Sequence, residues 1–300
     1  MSRTDQATPV TGHPTRVDAL VSELLAVLAK GGVGEPRREA SDIVATLLDR
    51  PRLWPAAHGD SPVSDHDAGR MRAAARRRAT GAPFAYAVAR ASFRHLTLAV
   101  DERVLIPRVE TEELVTAVLE AIAGREGGIA VDLGTGSGAI ALSLAQEGAF
   151  ERVIGTDLST GALAVARENA ERCAHELRTP VEFRAGSWLA PVAGLRVRAV
   201  VANPPYIAHD EAGELPRSVR DWEPALALFS ADSGMRDIAC IIREAPGVLE
   251  SGGLLALEVD SRRASLAAEL ALADGRYRDV SVRLDLAGRE RILMARRGEE

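Results

Sequence analysis

With 300 residues, 46% of them hydrophobic and 27% charged, the chain has the length for two domains and the composition of a soluble globular protein. No stretch approaches the roughly 18 uninterrupted apolar residues of a membrane span, and the polar start from Met1 to Pro14 lacks an apolar signal core, so the expected location is cytoplasmic. Cys173 and Cys240 stand far apart with no His or Cys at ligand spacing, which excludes a disulfide framework and a zinc site; no metal is expected.

The net charge of −6 is unevenly spread. Up to Arg108 there are 16 Arg and Lys against 12 Asp and Glu, a balance of +4; beyond it there are 21 against 31, a balance of −10. So acidic a second half argues against direct nucleic-acid binding there. Lys30 is the only lysine, so a single arginine carries little information by itself.

From Arg16 the apolar residues Val17, Leu20, Val21, Leu24, Leu25 and Leu28 recur at helical spacing until Gly31-Gly32 ends the pattern. A second helix after Pro36 places Ala40, Ile43, Val44, Leu47 and Leu48 on one stripe. A third runs from Ser64, as N-cap, to Thr80, and a short fourth covers Pro83 to Val88. The third carries Arg70, Arg72, Arg76, Arg77 and Arg78, which reads either as a solvated face or as a docking patch for an acidic or RNA-containing partner. From Phe93 the pattern becomes alternation (Phe93, Leu96, Leu98, Val100, then Val104 and Ile106) and predicts a hairpin around Asp101-Glu102-Arg103.

After Gly127-Gly128 strands and helices alternate, the pattern of a doubly wound α/β sheet. Strands are expected near Ile129 to Leu133, Val153 to Asp157, Val181 to Ala185, Ala199 to Ala202, Leu254 to Val259, Val280 to Leu284 and Arg291 to Ala295. Helices are expected near Ala139 to Gln146, Gly161 to Ala174, Met235 to Leu249 and Arg262 to Leu272. The expected division is a disordered tail over 1–14, a small helical bundle over 15–92, a hairpin linker over 93–108 and the α/β domain over 109–300.

Three of the first four strand ends carry residues suited to a nucleoside and the fourth a loop suited to an amine, at the edge where open α/β sheets bind ligands. Asp132-Leu133-Gly134-Thr135-Gly136-Ser137-Gly138 leaves the first strand and opens a helix, so its backbone can approach a ligand closely. The spacing is G-x-G-x-G, not the G-x-G-x-x-G of a dinucleotide site. It favours an amino-acid-bearing nucleoside, whose ammonium group Asp132 could face. Asp157, nineteen residues after Gly138, is placed to take both ribose hydroxyls. Trp188 either stacks on an adenine edge or caps the core.

The fourth strand runs into Asn203-Pro204-Pro205-Tyr206, where the prolines end ladder pairing and stiffen the loop. The Asn203 side chain and the Pro204 carbonyl together offer two acceptors to an –NH2 group. An Asp at position 203 keeps an acceptor and is expected to serve such a substrate better than an Ala.

Together these residues resemble the protein-(glutamine-N5) methyltransferases that act on peptide chain release factors, the HemK/PrmC-like family, over nearly the whole chain. The resemblance rests on Leu105-Ile106-Pro107-Arg108-Val109-Glu110-Thr111-Glu112, Asp132 to Gly138, Asn203 to Ile207, Ala231-Asp232-Ser233-Gly234 and Gly288-Arg289-Glu290-Arg291. It implies a class I methyltransferase, Rossmann-like with a seven-stranded sheet, preceded by a helical substrate-recognition domain. It implies S-adenosyl-L-methionine held by Asp132, Gly134, Thr135, Gly136, Ser137, Gly138, Asp157, Trp188 and Asn203. It also implies a substrate glutamine enclosed by Asn203, Pro204, Pro205 and Tyr206, with Asn203, Pro204 and Tyr206 serving the reaction.

The chain departs from the family pattern at Ser187, where an acidic residue is common, and after the fifth strand, where E-I-G-x-x-Q is expected and the chain reads Glu258-Val259-Asp260-Ser261-Arg262-Arg263. Two other readings stay open from the residues: an amino-methyltransferase acting on adenine N6 or guanine N2 of a nucleic acid, and a non-catalytic S-adenosylmethionine-binding interaction module.

Overall fold

The structure, a computed structural model, describes residues 15–299; the expected tail over residues 1–14 lies outside them. The chain divides into two compact units between Val88 and Ala89.

The first unit runs β1 (Thr15–Arg16), α1 (Val17–Lys30), α2 (Pro36–Leu47), α3 (Trp54–Ala57), β2 (Pro62–Val63), α4 (Asp65–Ala79) and α5 (Phe84–Val88). Leu20, Leu24 and Leu28 repeat every four residues and so share one face of α1, where they are buried against Ile43 and Val44 of α2 and Met71 and Ala75 of α4. The expected cap is in place: Ser64 Oγ accepts from the Asp67 N–H at 3.1 Å. The antiparallel pair of β1 and β2 is too short to leave a periodic signal. The arginine cluster on α4 has a use that neither sequence reading anticipated. Arg72 forks onto Glu23 of α1 at 2.8 and 2.9 Å, and Arg78 onto Glu39 of α2 at 2.6 and 3.0 Å, so part of it braces the bundle.

The second unit opens with the hairpin β3 (Arg90–Phe93) and β4 (Leu96–Ala99). Its strands pair from Arg90↔Ala99 to Phe93↔Leu96, so the turn is Arg94-His95 and not the expected Asp101-Glu102-Arg103. Arg94, at φ 50°, takes the left-handed conformation that a two-residue hairpin turn requires. Phe93, Leu96 and Leu98 are buried in the core of this unit, so the hairpin is one of its structural elements.

Next come α6 (Val109–Ile122), β5 (Ile129–Leu133), α7 (Ala139–Glu147), β6 (Arg152–Asp157), α8 (Thr160–Arg172), β7 (Val181–Ala185) and β8 (Val197–Ala202). After further short helical turns, β9 (Leu249–Glu258), β10 (Tyr277–Leu284) and β11 (Glu290–Arg297) complete a seven-stranded sheet in the order β10-β11-β9-β8-β5-β6-β7. Strands β7, β6, β5, β8 and β9 are parallel; β11 is antiparallel to both its neighbours. Alternation along β8 shows how both faces are covered. Ala199 and Val201 pack with Leu114 and Val118 of α6 and Leu142 of α7, while Val200 and Ala202 pack on the other face with Ile238 and Ile241 of the helix Arg236–Glu244. The chain reverses its direction of winding between β5 and β8, which opens a crevice at their C-terminal ends.

Several boundaries differ from expectation: β8, β9 and β10 each begin earlier, at Val197, Leu249 and Tyr277. The helix expected from Met235 to Leu249 ends at Glu244, because Pro246 imposes a 3-10 turn and Leu249 already belongs to β9. The helix expected from Arg262 spans Ala264–Asp274.

Candidate active site

At the end of β5 the glycines of G-x-G-x-G do conformational work. Gly134 (φ 67°), Gly136 (φ 55°) and Gly138 (φ 85°) alternate through the left-handed region, which lets the loop fold over the strand end. Asp132 lies beneath this loop, fully buried and outside the cavity wall, where its Oδ2 accepts from Thr135 Oγ1 at 2.5 Å and from the Ala141 N–H at 3.1 Å. Its Oδ1 is buried with no hydrogen-bond partner among the described residues. Burial pushes this carboxyl up to about 7, against the lowering effect of those two hydrogen bonds. Its visible work is thus to tie the loop to the first turn of α7.

Asp157, at the end of β6, accepts from the Gly136 N–H on Oδ2 (2.9 Å) and from the Ser159 N–H on Oδ1 (2.8 Å). Both oxygens are therefore fixed in position at the wall of the cavity, and burial raises the carboxyl above its ordinary value. Trp188 follows β7 at φ 43° and is pinned by Thr156 Oγ1 donating to its carbonyl at 3.0 Å. A Cβ added at Gly134 would come within 3.5 Å of the Trp188 ring, so the indole lies against the glycine loop.

A residue that motif reading missed locks this corner. Asn169 of α8 is fully buried; it donates to the Ser137 carbonyl at 2.9 Å and to the Ala99 carbonyl at 3.0 Å, and accepts from the Ala99 N–H at 2.7 Å. It joins the glycine loop to the hairpin. The available signal was an amide within the buried stripe Ala162, Val165, Ala166 of α8.

The loop after β8 is held differently. Asn203 Nδ2 donates to Thr111 Oγ1 at 3.0 Å, and Thr111 Oγ1 donates to Glu258 Oε2 at 2.6 Å. Tyr206 Oη donates to Glu258 Oε1 at 3.4 Å. Glu258, at the end of β9, is 1% exposed, and burial pushes it up to about 7, opposed first by the Thr111 hydrogen bond and then by the Arg291 charge. Burial also holds the Tyr206 phenol above its ordinary value. Asn203 and Pro205 face the cavity, whereas Pro204 is buried and neither it nor the Tyr206 side chain forms the cavity wall.

The other quoted motifs converge on the same loop. The Ile106 N–H and Arg108 donate to the two oxygens of buried Glu223, at 3.1 and 2.5 Å, anchoring the stretch that precedes α6. Asp232, Ser233 and Gly234 all have positive φ; a Cβ on Gly234 would meet the Tyr206 carbonyl at 2.1 Å and Arg263 Nε at 2.3 Å. Arg263, at the position where the family pattern has glutamine, is 6% exposed. It donates to the Ser233 carbonyl (2.7 Å), Glu211 (2.7 Å) and Asp260 (2.9 Å), clasping the segments on either side of the loop.

These pieces surround one cavity of about 790 Å³, walled by the glycine loop, Asp157, Trp188, Asn203, the Leu105 to Thr111 stretch and the segment Pro224 to Phe229. No group of three His, Cys, Asp or Glu that could hold a metal occurs among the described residues, and no described helix is long and apolar enough to cross a membrane.

A sheet of this order, with a nucleoside-sized cavity at its switch point, defines a class I methyltransferase. The Methyltransferase small domain matches residues 111–215, and a methyltransferase structure from Pyrococcus furiosus shares the fold at a TM-score of 0.52 and 18% identity, over 68% of this chain and 90% of that one. The PrmC N-terminal domain matches residues 19–88. A release factor glutamine methyltransferase from Moorella thermoacetica is 43% identical over 93% of this chain and 98% of its own length; one from Bordetella pertussis is 40% identical over 86% and 94%. The chain belongs to the release factor glutamine methyltransferase family, and it is an S-adenosylmethionine-dependent methyltransferase. Of the three functions left open by the residues, family membership selects the first.

Proposed function

We propose that this chain methylates the side-chain amide nitrogen of a glutamine in a peptide chain release factor, with Asn203 orienting that amide; Pro204, expected to share that task, is buried away from the cavity wall. The observation that carries the reading is the polarity of Asn203: its NH2 is committed to Thr111, while its Oδ1 accepts no hydrogen bond from the described residues and the side chain faces the cavity. An acceptor at that point suits an –NH2 group.

The other half of the cavity fits S-adenosylmethionine. Asp157 has lone pairs left for a ribose diol after its two backbone contacts, the glycine loop offers close backbone approach, and Trp188 offers an aromatic face. When bound, the cofactor supplies an electrophilic sulfonium methyl. An amide nitrogen is a weak nucleophile because its lone pair is delocalised, and no histidine lines the cavity among the described residues to act as a base near neutral pH. The chain must therefore act by positioning: the Asn203 Oδ1 accepts from the amide –NH2 and turns the nitrogen toward the methyl. The same hydrogen bond strengthens as positive charge grows on nitrogen in the transition state. The helical unit up to Val88, of net positive balance, supplies recognition of the protein partner.

The test is transfer of labelled methyl from S-adenosylmethionine to an intact bacterial release factor, run beside duplex DNA and structured RNA. Label in the protein alone is expected; label in nucleic acid alone contradicts the reading.

A further inference from the structure

The side chain that presents Asn203 is itself held from behind. Thr111 stands in the first turn of α6, 5% exposed, between Asn203 and the fully enclosed carboxyl of Glu258. Glu258 forms no part of the cavity wall; its neighbours are Thr111 and Glu110 of α6, Tyr206, and Arg291 of β11.

The order of donors in this chain is constrained by elementary valence. A hydroxyl has one proton to give, and both oxygens of Glu258 are placed as acceptors, Oε2 for Thr111 and Oε1 for Tyr206. Thr111 directs its proton to Glu258 at 2.6 Å, so only its lone pairs are left for Asn203. Asn203 must then turn its NH2 toward Thr111 and its carbonyl oxygen toward the cavity. Without Thr111's hydroxyl the amide is free to rotate by half a turn, and a rotated Asn203 meets a substrate –NH2 with its own –NH2. Glu258 imposes the same direction on Tyr206, whose hydroxyl also donates to it, so one carboxylate orients both ends of the Asn203 to Tyr206 loop.

We infer that Glu258 and Thr111 form a polarity relay, two positioning residues that set which end of the Asn203 amide faces the substrate. The inference rests on the reading of Asn203 as the acceptor for the glutamine amide. It explains why a threonine in the first turn of α6 and a glutamate at the end of β9 meet behind the loop after β8 although they lie 147 residues apart.

The test uses the full chain, S-adenosylmethionine and an intact bacterial release factor, with the variants Thr111→Val, Thr111→Ser and Glu258→Gln. Thr111→Val keeps the shape and removes the hydroxyl; it should lower kcat on the order of 10²-fold, as misorientation of a reacting group does. KM for the release factor and affinity for the cofactor should stay near wild type. Thr111→Ser restores the hydroxyl and should recover most of the lost kcat, an outcome that a packing role would not produce. Glu258→Gln puts an –NH2 in place of one of the two accepting oxygens and should lose kcat as well; if it fails to fold, the Thr111→Val and Thr111→Ser pair still decides. Unimpaired kcat in Thr111→Val, or a serine variant as poor as the valine one, overturns the relay while leaving the proposed function standing. An inactive wild type overturns the proposed function, and the relay with it.

Discussion

The two halves of the cavity are built on opposite plans. The wall formed by the ends of β5 and β6 is mostly local: Asp132 holds Thr135 and Ala141 a few residues away, and Asp157 holds Ser159. The wall formed by the end of β8 is assembled from distant parts of the chain. Asn203 rests on Thr111, which is 92 residues away, and the stretch before α6 is anchored by Glu223, more than 100 residues further on. In the proposed function, a nucleoside common to many proteins would rest on a portable loop, and the substrate amide on a long-range network that can exist only once the whole sheet is formed.

If that contrast is right, it can be broken from outside the cavity. The hairpin β3 to β4 belongs to the cofactor wall through Asn169, and it buries Phe93, Leu96 and Leu98. A fragment beginning at Val109 should therefore be less stable than one beginning at Ala89 by about 4.5–9 kcal/mol, three buried large side chains being lost at roughly 1.5–3 kcal/mol each. Denaturant melts of the two fragments measure it; equal stability would mean that the hairpin is a mere connector.

The long-range wall should be sensitive at its tip. Asn203→Ala is expected to lower turnover by about 10²–10³ with cofactor affinity retained, the usual loss for one preorganised contact. The Thr111 contact also revises the expectation for Asn203→Asp, which sequence reasoning ranked above the alanine variant. A carboxylate at position 203 faces the lone pairs of Thr111 Oγ1, whose proton is committed to Glu258, so the aspartate should be no better than alanine. Steady-state rates of the two variants check the order.

Much of the fold, and of the cavity wall at the ends of β5 and β6, was legible in the sequence because the signals are local. Glycines at alternate positions, an acid at the next strand end and apolar runs of strand length each declare themselves within about ten residues. The hairpin turn was misplaced because apolar alternation continues past Ala99 to Val104 and Ile106, which are not in strands, while the true turn carries Arg94 and His95 and no glycine. Asn169, Thr111, Glu258 and Arg263 were not assigned roles because each acts through a tertiary contact, and a buried polar side chain has no periodic signature. Arg263 gives the departure at Asp260 to Arg263 a physical meaning: the chain clasps the loop with a guanidinium and two carboxylates.

The local wall yields two smaller predictions. Asp157→Ala should weaken S-adenosylmethionine binding by about 1.5–3 kcal/mol, the range for hydrogen bonds to a charged group, as read by calorimetry. Unchanged affinity would move the ribose elsewhere. Asp132 titrates from an unfolded value of 3.8 to about 7 in the folded chain, so between those values the folded state holds a proton that the unfolded state has released. Its contribution to stability is therefore present at the acid end and is lost as pH rises through that window, at no more than about 1.4 kcal/mol per pH unit. Thermal melts of Asp132→Asn should show a flatter fall over the same range; an identical profile would place the titration on other groups.

The central claim is that the acceptor wall positions a glutamine amide, and it is tested most directly by locating the transferred methyl group. Tandem mass spectrometry of an intact release factor, treated with the full chain and S-adenosylmethionine, should place one methyl on the side-chain nitrogen of a single glutamine. Substitution of that glutamine in the release factor should abolish transfer. A methyl found on lysine, arginine or a chain terminus, or transfer that survives loss of the glutamine, would contradict the account.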